Sequence, residues 1–532
     1  MMVLIMLSFV LLVVWDAPVL PITTAFQSTP LLFQARPSLL TPHTTQQPHG
    51  RKDVPIHLSF ASVTNNSTGG IIPHWDPIPI APTPSIFATA RRLTPVAFGL
   101  VKAMAGTGML ALPLGLAVIT DHPKGLWPAN VLMSVLGLLS AYTFALYGRL
   151  VHATQATSLG GVWKAIMCKN SKSGAEPHRD TSWIVSLANF VYCFGCGLAY
   201  SLVLGDILSS LARSSSLRLP AVLLTRQAAI LGVTGCVLLP LSNLQSLAAL
   251  APVSIVGVLG TLFTTGFLGW RCPTVMASSP YVGCGSFGTY SRFGSIAPLM
   301  LVAMSCVAMM AHFSAPEFYH ELKKTNGKKN SSSPAATAAP IPAATTEADT
   351  TVLRNFFQIT TAGFGTIAIV NALTLAFGFL TFGGACQGNI LSNFSVSDPG
   401  ATLCRLLIGV SVMGGFPMCI QPCRSAALEV LKIPGTVKNN RRALGVLVGV
   451  LTSIALTVKD VGFVISMNGA VMGSNLMYTI PSLLFLKHTK NRTGARIRWE
   501  RRFCRLLIGF GGVAMVAGAW VSILSAFYPH LL

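Results

Sequence analysis

Long apolar runs alternate with short, polar, basic loops along most of this chain. From residue 95 onward eleven such runs can be drawn, over 95–119, 127–150, 183–210, 221–240, 247–269, 294–315, 352–381, 401–430, 443–458, 461–486 and 503–527. Each is near the roughly 20 apolar residues that a helix needs to cross a bilayer. Hydrocarbon offers backbone N–H and C=O groups no water, so runs of this kind are expected to be helices. The pattern predicts an all-α integral membrane domain over 95–528, with a flexible loop rich in Lys, Ser, Ala and Pro at 323–351.

The stretch before residue 95 differs. Met1 to Val14 is an uncharged apolar run, and residues 1–20 read as a signal-peptide-like segment without the usual basic start. Residues 21–94 are rich in Pro, Ser and Thr and contain no Glu, a disordered, transit-peptide-like composition. An apolar run, then Thr24-Ala25-Phe26, then such a stretch resembles the bipartite plastid presequences of algae with secondary plastids. That resemblance implies a plastid envelope. A signal anchor with a plain tail, in a vacuolar, endomembrane or plasma membrane, is the alternative.

Charge decides orientation. With the segment before the first span on the cytoplasm-equivalent side, the inner loops hold 25 basic residues against eight outside. The excess marks the inner face. A cleaved secretory signal would by itself put the tail on the other side. A second import step into an organelle would restore the preferred orientation.

Composition agrees with a multi-pass protein: charged residues are 10% of the 532 and hydrophobic ones 52%, where soluble domains carry about 25% charge. The net charge of +22 lies in loops between spans, which argues against nucleic acid as a partner. No Cys/His cluster has zinc-type spacing, no metal or cofactor is implied, and no nucleophile/base set converges, so an enzyme is not expected. Most cysteines, among them Cys193, Cys196, Cys236 and Cys306, lie in apolar runs as small hydrophobes.

Candidate chemistry starts in the first span. Residues 98–116, FGLVKAMAGTGMLALPLGL, contain a lysine, Gly106-Thr107-Gly108 and Pro113. In a helix interior each glycine costs roughly 1 kcal/mol and a proline about 3 relative to alanine. A break inside a span is tolerated where protein or a water-filled cavity satisfies the freed backbone. Five spans later, Ala311-His312-Phe313-Ser314-Ala315-Pro316 again places small and polar residues before a proline. Interruptions at matching places in two halves are the mark of inverted-repeat transporters, whose half-helix ends suit the charges of a zwitterion.

Seven blocks in order resemble the amino acid/auxin permease family: 101–117, 191–208, 238–257, 311–324, 378–394, 416–431 and 458–486. Their sequences include VKAMAGTGMLALPLGLA and AHFSAPEFYHELKK. The resemblance implies eleven transmembrane helices in a leucine-transporter-like, five-plus-five inverted repeat, with broken first and sixth helices. It implies secondary active transport of small, neutral amino acids by proton symport or exchange. An amino acid sensor on the same fold is the alternative.

The expected substrate-binding residues are Ala105, Gly106, Thr107, Gly108 and Met109 in the first break, with His312, Ser314 and Ala315 in the second. Lys102 and Glu317 are the expected ion-coupling groups. The sodium-coupled branch of the family has asparagine where this chain has Lys102, and the proton-coupled branch has lysine, so protons are the expected coupling ion. Lys102 precedes Gly106 by four residues and is expected on the same helix face. His312 and Glu317 are the expected titrating groups, and Tyr192 and Tyr200 share a face of the third span. Proton-coupled relatives bridge the two loops that hold Cys284 and Cys386, which makes that pair the candidate disulfide, with Cys272 competing.

Overall fold

A computed structural model describes residues 86–168, 180–214, 220–243, 251–277, 290–330 and 343–529. The signal-like segment 1–20 and nearly all of the tail 21–94 lie outside the described residues. The last part of that tail, from Ile86, is helical and continues into the first span, so the polar tail gives way to helix earlier than composition implied.

In chain order the helices are α1 (Ile86–Met104), α2 (Gly108–Ala117), α3 (Leu126–Thr154), α4 (Leu159–Met167), α5 (Ser182–Ser214), α6 (Arg226–Ser242) and α7 (Ala251–Ala277). They continue as α8 (Pro298–Ala308), α9 (Ala315–Asn330), α10 (Ala343–Phe382), α11 (Pro399–Val430), α12 (Val437–Thr457), α13 (Val461–His488) and α14 (Ala495–Phe527). Each of the eleven expected spans falls mainly on helix where it is described. Among the described residues eight helices are long and apolar enough to cross a membrane, or nine with α1 and α2 taken as one bent span. The remaining two expected spans are α6, which is shorter, and α12, which opens on Lys438, Arg441 and Arg442.

Helix starts follow local chemistry. Ser158, Thr225, Asp398, Thr436 and Asp460 each accept a hydrogen bond from a first-turn N–H, which satisfies donors that a helix leaves orphaned. Pro298 and Pro399 occupy first-turn positions where no N–H is needed. Before α5, the Ser182 N–H and hydroxyl bond the Asp180 carboxylate and hold it down to about 2. The expected loop 323–351 is shorter than composition implied, since α9 runs to Asn330 and α10 starts at Ala343.

Helix is interrupted near both expected positions, the second starting two residues before the expected Ala311 and overlapping it. Between α1 and α2 the axis bends by 48° at Ala105-Gly106-Thr107. Pro113 lies inside α2 without breaking it. The sixth span is interrupted at Met309, Met310 and Ala311, ahead of the His312–Ser314 turn. Pro316 sits in the first turn of α9, where a missing N–H costs nothing, so it starts a helix rather than ending one. The Asn371 amide donates to Ala308 O at 3.2 Å and satisfies a carbonyl freed by this break.

Close backbone approach holds α13 and α2 against α8. A Cβ on Gly469 would land on Ala303 O, and one on Gly108 would lie 2.8 Å from Ala308 N. Two consecutive π-helical turns, Gly469–Gly473 and Asn475–Thr479, lie in α13. On the outer side the loop after α10 packs down on α13: a Cβ on Gly388 would strike Gly462 N. Buried Arg405 donates to the carbonyls of Leu391, Phe394 and Ser395 and fixes that loop. Cys386 is buried with its thiol 3.7 Å from Gly378 O. Cys284 lies outside the described residues, and the proposed bridge with it.

Candidate functional site

Residues of α1, α4, α5, α9 and α11 surround a cavity of about 340 Å³. Its rim holds Thr157 to Gly160, in the basic connection between the second and third spans, and Arg424, Ser425, Ala426 and Glu429 in the last turns of the eighth, next to another basic loop. The cavity therefore opens toward the side that charge marks as inner. Its deeper wall is formed by Lys102, Tyr200, Ser314, Gly415 and Cys419.

Lys102 is 4% exposed. A buried ammonium costs several kcal/mol unless it is paired or hydrogen-bonded. Its Nζ donates to Ser411 Oγ at 2.6 Å and to Ser411 O at 3.0 Å, on α11. A Cβ on Gly257 of α7 would lie 2.7 Å from both Lys102 Nζ and Ser411 Oγ, so only glycine leaves room for this contact. The lysine thus ties the broken first span to the eighth beside the fifth. The sequence placed Lys102 on the face of Gly106; its ammonium instead points across to α11.

Tyr200 links the two sides of the deep wall. Its hydroxyl lies where a Cβ on Gly106 would come within 2.8 Å, and its ring is 3.3 Å from a Cβ on Gly415. It neighbours Cys419, which in turn neighbours Cys196. Cys193 and Cys196 form a Cys-x-x-Cys pair one helical turn apart on α5, facing Cys419 and Cys423 on α11. Their spacing in two separate apolar runs gave no reason to join them. Tyr192, paired with Tyr200 by spacing, is fully buried against Phe313 and does not border the cavity.

Of the expected site residues, the cavity brings together Lys102, Ser314 and Glu317. Ala105, Gly106, Thr107, Gly108 and Met109 lie behind Tyr200 and do not line it. Gly108 serves the approach of α2 to α8. Thr107 places no side-chain oxygen on the first N–H groups of α2. Ala315 is buried in the first turn of α9.

His312 turns away from the cavity into α3. Its Nε2 is 2.9 Å from Thr143 Oγ1 and 3.1 Å from Ser140 O. The carbonyl can only accept, so Nε2 carries the proton. Phe144, Tyr147 and Phe364 enclose the ring, and Nδ1 has no hydrogen-bond partner.

Glu317 faces the cavity exposed, opposite Arg424 on α11. Glu429, at the rim, lies where a Cβ on Gly160 would come within 2.6 Å of its carboxylate. Sequence reasoning missed Tyr200's contact with Gly106, and it missed Gly415, Cys419, Asn189 and Gln421 of the lining. Among the described residues no His/Cys/Asp/Glu group is arranged to hold a metal ion.

The family model described as "Transmembrane amino acid transporter protein" matches residues 92–330 and 346–524. A zebrafish (Danio rerio) protein named "Putative sodium-coupled neutral amino acid transporter 11" is 23% identical over 441 residues, 81% of this chain and 86% of its own. Mouse (Mus musculus) solute carrier family 38 member 10 is 31% identical over 134 residues, 23% of this chain and 12% of that protein. Among solved structures, the Eremococcus coleocola manganese transporter aligns with 84% of this chain and 90% of its own at 12% identity, with a TM-score of 0.48. With the family model covering most of its length, the chain belongs to the transmembrane amino acid transporter family, the amino acid/auxin permeases, and is a multi-pass membrane protein.

Proposed function

We propose that the protein is a secondary transporter of small, neutral amino acids that works by alternating access, with protons as coupling ion or by exchange. The observation that carries this reading is the Lys102 ammonium hydrogen-bonded to Ser411 between the first and eighth spans. A sodium ion held there would need oxygen ligands on both helices. The ammonium supplies a fixed positive charge in its place and occupies the two Ser411 oxygens. The zebrafish relative's name supports a neutral amino acid as cargo while pointing to sodium, which this lysine disfavours.

The substrate path runs from the inner cavity to the broken first helix, with Tyr200 between them. The first N–H groups of α2 lack a side-chain cap, which suits a substrate carboxylate. Tyr200 must swing from Gly106 for the cargo to reach them. Glu317 and Lys102 are the ion-coupling groups of this reading.

The test is counterflow of labelled amino acids in proteoliposomes, with and without an imposed proton gradient and in sodium-free buffer. Exchange that proceeds without sodium and accelerates with protons on the substrate side is expected. Strict sodium dependence would remove the role given to Lys102, and binding without turnover would favour a sensor.

A further inference from the structure

We propose that the inner end of α14 is a binding site for anionic phospholipid headgroups, built by Arg498, Arg502 and Arg505 around Trp499. Residues 496–505 carry five arginines and one acid, Glu500. That acid is committed elsewhere: its two oxygens take Arg149 of α3 at 3.2 and 3.0 Å, and it is largely buried. Arg496 reaches it only at 3.9 Å. Among the described residues no carboxylate pairs with Arg498, Arg502 or Arg505, and all three are exposed.

This placement is unfavourable without an anion. The helix N-terminus is the positive end of the macrodipole, where cations destabilise and anions stabilise. Gly494 precedes α14 at φ 146° and gives its first N–H groups no side-chain cap. Three exposed guanidinium groups without a carboxylate partner therefore occupy the first three turns of one helix, with Arg498 nearest its uncapped N–H donors.

The membrane-facing stripe of the same helix identifies the anion. Leu506, Val513, Val516, Trp520 and Phe527 are all exposed large hydrophobics. At 100° per residue, Arg498, Arg502 and Arg505 fall on their side, and Glu500 on the other. A hydrocarbon core is roughly 30 Å thick. The exposed apolar stripe from Leu506 to Phe527 rises about 32 Å, which fills that thickness and puts Arg502 and Arg505 at the phosphate level of the inner leaflet. Trp499 is 40% exposed and lies under Arg502, 5.5 Å from ring centroid to guanidinium carbon. This is the interfacial aromatic and basic pairing that anchors to headgroups. Arginine's planar fork also matches phosphate oxygens.

The full-length protein, purified in a neutral detergent, is titrated with phosphatidylcholine, phosphatidylglycerol or soluble glycerol phosphate while its thermal midpoint is followed. Phosphatidylglycerol is expected to raise the midpoint by several degrees more than phosphatidylcholine, and glycerol phosphate to leave it unmoved. The Arg498→Gln/Arg502→Gln/Arg505→Gln variant should lose that difference, whereas Lys438→Gln/Arg441→Gln/Arg442→Gln at the inner end of α12 should keep it. If the glutamine variant does not insert, its Arg-to-Lys counterpart should retain insertion and lose part of the difference. An equal response to both lipids in the parent protein, the same response to glycerol phosphate, or loss of the effect only in the α12 variant would overturn the proposal.

Discussion

The Lys102 ammonium stands 2.6 Å from the Ser411 hydroxyl and 3.0 Å from the Ser411 carbonyl, across 309 positions of sequence. One side chain thereby saturates an oxygen pair on the eighth span with charge from the first. The contact leaves no room for a side chain at Gly257, which ties the fifth span to the same point. On the proposed reading, this fixed cation at the junction of three helices stands in for a mobile one.

Removing that cation should change both rate and ion dependence. Lys102→Ala is expected to lower counterflow by at least about tenfold, equivalent to roughly 1.4 kcal/mol, with membrane insertion unchanged. Ser411→Ala keeps the carbonyl acceptor and should cost less, near the ~1 kcal/mol of one hydrogen bond. Lys102→Asn frees both Ser411 oxygens and adds a third, so sodium should stimulate this variant and not the parent. Uptake by Lys102→Ala that remains fast and proton-dependent would sink the role given to the lysine.

Glu317 offers a separable prediction. It faces the cavity on the helix that follows the second break, with Arg424 on the opposite wall. Glutamine preserves its shape and removes its proton exchange. Glu317→Gln should abolish acceleration by a proton gradient while equilibrium counterflow continues within about threefold, a change under 1 kcal/mol. A gradient response as large as the parent's would exclude Glu317 as the proton carrier.

The spans were legible because each is an apolar run longer than any alternative packing needs, and helix is the conformation that satisfies a backbone in lipid. The first break was legible from Gly106-Thr107-Gly108. The second was displaced because Pro316 reads as a breaker in sequence, although the first turn of a helix accepts it. The wall of the site was only partly legible. Lys102 declared itself by its charge, but its direction depends on Ser411, which no local spacing connects to it. Tyr192 and Tyr200 look equivalent eight residues apart, yet a neighbouring phenylalanine buries one while Gly106 and Gly415 leave space for the other. Contacts of this kind arise from helix packing, and a single chain records them only as unexplained glycines.

Those glycines give a stability test. A Cβ on Gly469 would strike the carbonyl of Ala303, a backbone atom that cannot turn aside, whereas one on Gly449 would meet nothing within 4 Å. Gly469→Ala should force α13 from α8 and cost about 1–3 kcal/mol, as overpacking does. Gly449→Ala should be neutral or slightly stabilising, because alanine favours helix by roughly 1 kcal/mol. Thermal midpoints of the two purified variants check this, and equal midpoints would remove the packing role assigned to Gly469.

The outer seal makes the final prediction, which concerns the balance of states. In this structure the cavity opens inward while Gly388, in the loop after α10, rests on Gly462 at the start of α13, and a Cβ on Gly462 would lie 2.5 Å from Leu114 of α2. A methyl group at position 388 has no space unless the loop lifts. If the alternating access proposed above opens the outer side by lifting this loop, Gly388→Ala should favour that state at the expense of the inward-open one. Cys419 reports the balance, because it lines the inner cavity and a thiol reagent must enter from the inner side to reach it. In a variant whose other cysteines are replaced, reagent applied to the inner face should label Cys419 several-fold more slowly after Gly388→Ala. Alanine at Gly384, where the nearest atom to a Cβ is Asp121 Cβ at 3.6 Å, should leave the rate unchanged. If both alanine variants label at the parent's rate, Gly388 and Gly462 do not set the balance between the two states.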